Sequence, residues 1–306
     1  MSGLDRMFAK IVLASRPADT TALPLITMHL HYPDIIHGEV MTHRVFSRNA
    51  RSMRAVPIKT MVEEVRNDPF VPWHWGKNQR GMQALEECNT RIPTDFIPME
   101  LECNDLDREE AWRHAARTAA GFAEAFGEAG YHKQVANRLI APFTWKHTLI
   151  TSTSWANFLH LRDHDDAEPH FHDLAIMVRE ALAGAQYQTL LHGDWHLPYV
   201  TRQEKKFHSL DVLQKLSVAR SARISYAPFD GDASIERELE RYDLLVGSSP
   251  LHASPTEHQA TPDRGSKLYL GNGKMIFENP DLGGNFGPGW IQFRKTLAGE
   301  YVKDAA

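Results

Sequence analysis

Residues 42–54 read THRVFSRNARSMR. The run sets His43, Arg44, Arg48, Arg51 and Arg54 among Ser47, Asn49 and Ser52. Serine hydroxyls, backbone N–H groups and an arginine fork are the donors that a phosphate monoester requires. A solvated basic face has the same composition, so both readings stand on this run alone. Pro33 and Asp34 lie upstream, and a proline with an acidic residue suits a first helical turn. The spacing predicts a helix carrying IIHGEVMTHRVF, then a loop through RNARSMRAVP that Pro57 stops.

On either side the pattern alternates between strand and helix. Residues 9–15 and 20–32 read as strands, rich in Ile, Leu, Val and Thr. A short helix is expected at 58–66, then an irregular aromatic segment, PFVPWHWGKNQRGMQ. Residues 107–128 are alanine-rich with apolar positions at helical spacing. A second helix near His132 leads to a strand-like WKHTLITST, to SWANFLHLR, and to an amphipathic helix over 167–185. Further helices are expected at 209–222 and 232–247. The last 55 residues are rich in Gly, Pro, Asn and Ser, which marks loops, with Tyr269, Phe286 and Trp290 expected to be packed. No linker separates independent units, so one α+β domain over 1–306 is expected, a mixed sheet with packed helices.

Composition bounds the function. The chain has 306 residues, 42% hydrophobic and 24% charged, an ordinary globular balance. No run approaches the roughly 20 apolar residues that cross a bilayer, and the N-terminus lacks a secretory pattern, so a cytoplasmic protein is expected. Net charge is −5 with no basic tail, which argues against bulk nucleic-acid binding and for a small anionic ligand at the clustered arginines. Cys88 and Cys103 sit in acidic contexts and form no C-x-x-C pair, so neither a zinc knuckle nor an activated thiolate is expected. Seventeen histidines, with HFH at 170–172 and HGDWH at 192–196, raise a metal hydrolase as an alternative. Against it, His170 and His172 diverge on a helix, and no H-E-x-x-H occurs.

The arginine-rich run resembles the signature of the flavin-dependent thymidylate synthases, R-H-R-x-x-S-x-N-x-x-S-x-R in outline. The resemblance implies that His43 and Arg44 border a flavin, while Ser52, the backbone at Met53, and Arg54 hold a nucleotide phosphate. A second block, ANRLIAPF then NFLHLRDHDDAEP, resembles the family's later helices. There Arg138 would reach the phosphate, Arg162 would orient the pyrimidine, and Asn157 would contact the flavin. A guanidinium can pair with a pyrimidine carbonyl and stabilise charge developing on it. The alternative for Arg162 is a surface ion pair with Asp163, Asp165 or Asp166.

A third block stands out of order. The family opens with A-A-R-V-S-(Y/F), a helix and H-x-(S/T)-P-F-E-H. Here the similar text is ARSARISYAPFDG and LHASPTEH, about 180 residues after the signature. A circularly permuted arrangement is expected, which is tolerable where termini lie at the surface. It would return Ser225 and His258 to the flavin site. The three blocks cover roughly 215–262, 20–60 and 130–180. GWIQFRKTL resembles the stem of the signature helix, so Gln292 and Arg294 would supply what Glu39 and Thr42 have lost; an ordinary amphipathic terminal helix is the alternative.

The activity implied is transfer of a one-carbon unit from methylenetetrahydrofolate to C5 of a pyrimidine deoxynucleotide monophosphate, dUMP first, using FAD and NADPH in a homotetramer. Arg162 and Ser52 would carry the catalytic contacts, while the cofactor carries the hard chemistry. Departures bear on the substrate: Ala50 stands for a glutamate, Ala55 for a tyrosine, Glu39 and Glu168 for glutamines, and Thr42 for an arginine. A C5 hydroxymethyltransferase of the same fold and an inactive flavin- or nucleotide-binding protein are the alternatives.

Overall fold

The computed structural model describes residues 3–97, 105–224, 232–270 and 274–302. β1 (Phe8–Pro17) and β2 (Leu25–Pro33) pair antiparallel. Alternation divides β2 between two faces: Ile26, Met28, Leu30 and Tyr32 on one, Leu25, Thr27, His29 and His31 on the other.

The helix expected over IIHGEVMTHRVF is a single turn, α1 (His37–Val40), and part of the expected loop is a strand, β3 (Ser47–Ala50). Gly38 and the β-branched Val40, Thr42 and Val45 are poor helix formers. Thr42 Oγ1 donates to the Glu39 carbonyl at 2.7 Å, a local bond that competes with helical pairing. Ladder pairing of β3 then buries Ser47 and Asn49.

α2 (Ile58–Asn67), the short ladder of β4 (Ile92–Pro93) with β5 (Asp105–Leu106), and α3 (Arg108–Glu128) follow. α3 begins at a capping box between Asp107 and Glu110. Its inner stripe, Ala116, Ala120 and Ala123, packs with Met61, Val62 and Val65 of α2. The helix expected near His132 is brief: α4 (Lys133–Ala136) passes into a 3-10 turn, Asn137–Phe143, in which Pro142 lacks the N–H that helical pairing needs.

β6 (Trp145–Ser152), α5 (Ala156–Arg162), α6 (Pro169–Ala183), β7 (Tyr187–Leu190), α7 (Glu204–Phe207), α8 (Leu210–Ala222) and α9 (Ile235–Val246) complete the middle of the chain. The C-terminal part holds more strand than its composition suggests: β8 (Ala260–Pro262), β9 (Gly265–Leu270), β10 (Lys274–Phe277) and β11 (Trp290–Gln292). GWIQFRKTL is therefore not a helix. β11 pairs with β8 and passes into a 3-10 turn at Phe293–Thr296, its three residues buried.

The main sheet runs β3-β6-β2-β1-β7, antiparallel except for the parallel pair β1–β7. Mixed sheet and packed helices make the fold α+β. One sheet face packs on α5 and α6 through Met28, Leu30, Ile150, Phe158, Phe171, Leu174 and Val178. The opposite face is covered at one end by Leu190, Ala260, Phe286 and Trp290. Phe286 and Trp290 are packed, as expected; the side chain of Tyr269, and Cys103, lie outside the described residues. Among the described residues no helix is long and apolar enough to cross a membrane.

Candidate active site

The signature segment lies between two cavities. The first, of about 660 Å³, opens along Arg48, Asn49, Arg51, Ser52 and Arg54. Its far wall comes from Ala222 and Ile224 after α8, Arg241 and Leu244 of α9, and His252 and Ser254. Asn49 joins the two walls: its carboxamide N–H donates to the Ser221 carbonyl at 2.6 Å, and its oxygen accepts from Ser254 Oγ at 3.2 Å. Asn49 thus ties the end of α8 at Ser221 to the segment around Ser254. Near the mouth, Arg51 forms a two-pronged bond with Glu64 at 2.9 and 2.7 Å. Arg241 donates to the buried Glu238 at 2.7 Å, which Arg223 also meets at 2.6 Å through Nε. Arg54 is exposed and has no ion pair among the described residues. The loop that carries it is held from below, since Asn137 Nδ2 donates to the carbonyls of Met53 and Val56 at 2.8 and 3.0 Å. Ser52 Oγ accepts from the Arg54 backbone N–H at 3.3 Å. Ser52, Met53 and Arg54 are therefore together; Arg138, exposed on the 3-10 turn, lies outside this cavity.

The second cavity, of about 620 Å³, holds Arg162, Glu39, Glu168, His170 and His74, with residues 82–87 across from them. Arg162 does not pair with the aspartates that follow it. Its Nε donates to His43 Nε2 at 3.1 Å, Nη1 to Glu39 at 3.3 Å and Nη2 to Thr42 Oγ1 at 3.4 Å. The guanidinium also lies 4.8 Å from the Phe171 ring centroid. Asp163 instead takes Arg179 and His172. His43 is buried against Phe46 and Phe158, and burial followed by the Arg162 and Arg48 cations pulls its pKa down to about 4. Neutral His43 accepts from Arg162 and fixes the guanidinium plane. Glu39 is shifted upward by burial and by Glu168, against the pull of Arg162.

Glu168 caps α6, accepting from Phe171 N at 2.8 Å, and its other oxygen meets His170 Nδ1 at 2.6 Å. A carboxylate only accepts, so Nδ1 of His170 carries a proton toward Glu168. Its Nε2 is buried with no hydrogen-bond partner among the described residues. His170 and His172 go to different carboxylates, and among the described residues no group of three or more His, Cys, Asp or Glu is arranged to hold a metal.

Among the described residues, those expected around a flavin do not share one cavity in a single chain. His43 is enclosed behind Arg162, while Arg44 and Asn157 are exposed and line neither cavity. His258 is fully buried, its Nδ1 2.8 Å from Thr151 Oγ1, and Ser225 lies outside the described residues. A buried polar chain continues from Thr151 to Thr27, His196 and Ser15, each contact 2.7 Å. Gln292 and Arg294 do not stand beside Glu39 and Thr42. Gln292 is buried and donates to Ser47 Oγ at 3.2 Å and the Glu257 carbonyl at 3.1 Å, while Arg294 pairs with Glu257 and Glu300. His74 and Arg241 carry no local signal of a site in the sequence, because each is brought to its cavity by folding alone.

No protein-family model matches the chain, and no curated protein matches it. Among solved structures it is similar to a UMP/dUMP methylase PolB from Streptomyces cacaoi bound with 5-Br UMP: TM-score 0.44, 15% identity, covering 58% of this chain and 89% of that one. The same methylase bound with 5-Br dUMP gives a TM-score of 0.39 and 16% identity over 53% of this chain and 67% of that one.

Proposed function

We propose that this chain transfers a one-carbon unit to C5 of a pyrimidine nucleoside monophosphate, in the manner of the flavin-dependent thymidylate synthases it resembles in sequence. The observation that carries the reading is the Asn49 junction. Motif blocks separated by most of the chain meet at one cavity whose open side offers Ser52 and Arg54, which has no ion pair among the described residues. Backbone N–H groups, a serine hydroxyl and a guanidinium are the donor set of a phosphate monoester site.

Arg162 is the second element. Held by His43, Glu39 and Thr42, it presents a fixed cation to the neighbouring cavity, where a pyrimidine ring would be oriented and charge on its carbonyl stabilised. The phosphate and base sites belong to different cavities of one chain, so a nucleotide that used both would draw on two copies in an oligomer, the expected homotetramer. Methylenetetrahydrofolate and NADPH are the expected one-carbon and hydride sources. Among the described residues, those expected around a flavin form no cradle within one chain. The presence of FAD is the property to test first. The freshly purified protein should show flavin absorption bands that shift on adding a pyrimidine nucleotide. A colourless protein that does not rebind FAD contradicts the flavin-dependent form of this reading.

A further inference from the structure

Arg241 stands on the far wall of the first cavity, which Ser52 and Arg54 also line. Its place follows from α9, a helix capped by Ser234 whose Glu238 is fully buried. A buried carboxylate is stable only when paired. Arg223, the residue that ends α8, meets Glu238 through Nε at 2.6 Å. Arg241, at i+3 on α9, meets the same carboxylate through Nη1 at 2.7 Å. One guanidinium balances one carboxylate, so the second is an excess cation. Of the pair, Arg241 lines the cavity and Arg223 does not. Its Nε and Nη2 are not hydrogen-bonded among the described residues. Among those residues no carboxylate lines the cavity: Glu64 and Glu238 pair with Arg51 and Arg241 but stand outside its lining.

We infer that Arg241 is a further phosphate-binding residue, which holds the nucleotide phosphate from the wall across from Ser52 and Arg54. The inference rests on the nucleotide reading above. A cleft lined by uncompensated cations concentrates anions, and the guanidinium fork matches phosphate oxygens. Glu238 sets that fork in place before a ligand arrives, so less side-chain freedom is lost on binding. A brace between α8 and α9 needs only Arg223 on Glu238. The second guanidinium adds positive charge at the cavity, where Arg54 has no ion pair among the described residues.

Calorimetric titration of the full-length protein with dUMP and dCMP, each beside its nucleoside, tests this. Arg241→Gln leaves Glu238 paired with Arg223, so the fold should persist. The variant should bind the nucleotide about tenfold or more weakly and the nucleoside as the wild type does. Arg241→Lys keeps a charge beside Glu238 without the fork, which guards against a folding defect in the first variant. It should weaken the nucleotide by a smaller factor and again spare the nucleoside. A nucleotide affinity that neither substitution changes, or equal weakening of nucleotide and nucleoside, would overturn the inference while leaving the nucleotide reading intact. Failure of both nucleotides to bind the wild type would overturn the two together.

Discussion

Asn49 and Ser254 are 205 positions apart in the chain and share a hydrogen bond of 3.2 Å, while the same carboxamide donates to the Ser221 carbonyl. One buried side chain therefore fixes the C-terminal blocks against the signature strand. Nothing in the local sequence requires that contact; it forms because β3 pairs along β6 and turns Asn49 inward.

Asn49→Ala should strand the Ser221 carbonyl and release Ser254, lowering stability by about 1–3 kcal/mol in urea denaturation. Asn49→Asp should cost more, since a carboxylate would face the carbonyl. Both variants should weaken nucleotide binding together with stability, whereas a substitution at the exposed Asn157 should leave stability unchanged.

Arg54 offers the opposite case. Exposed and without an ion pair among the described residues, it contributes little to folding, so Arg54→Ala should leave the melting temperature unchanged. Loss of one charge-assisted contact should weaken nucleotide binding about tenfold or more, with far less effect on the nucleoside. Equal weakening of nucleoside and nucleotide would show that Arg54 does not meet the phosphate.

Arg162→Gln should be visible in His43. Burial and the nearby cations hold the imidazole near pKa 4, and removing the nearest cation should raise it toward its ordinary 6.5. Proton NMR titration of the ring reads this directly. Catalytic turnover should fall by about a hundredfold or more if Arg162 stabilises charge on the pyrimidine.

Acid should destabilise the fold through His196 and His258. Both are fully buried and neutral, with pKa values lowered from 6.5 to about 3, His196 by burial and then by Lys205 and His258, and His258 by burial. Between those limits the unfolded chain binds protons that the folded chain does not, so stability rises with pH there. The contribution is complete above about pH 6.5 and is lost as pH falls toward 3, by about 1.4 kcal/mol per histidine per pH unit. Denaturation midpoints from pH 7 to 4 give the slope, and Thr27→Val should lower the whole curve by removing the hydroxyl between His196 and Thr151.

The helices with strong periodicity were legible in the sequence. Alanine content and apolar spacing announce α3, and the apolar stripe announces α6. The single turn at α1 was not, because Pro33 and Asp34 signal a start while the ladder that replaces the helix is a tertiary pairing. The strands of the C-terminal part were hidden for the same reason: β8 and β11 have three residues each and are defined by their partner. Ser52 and Arg54, expected from the donor types that a phosphate needs, line one cavity. The restraint of Arg162 by Glu39, Thr42 and His43, and the burial of His258 and Gln292, depend on packing between distant segments that residue type alone does not encode.

Release of tritium from C5 tests the central claim most directly. Pyrimidine nucleoside monophosphates labelled at C5 are supplied with FAD, NADPH and methylenetetrahydrofolate. The account predicts that label is released from one of them and that Arg162→Gln or Arg54→Ala largely abolishes release. A protein that binds the nucleotide and retains all of the label would contradict it, and would be a nucleotide-binding protein without C5 chemistry.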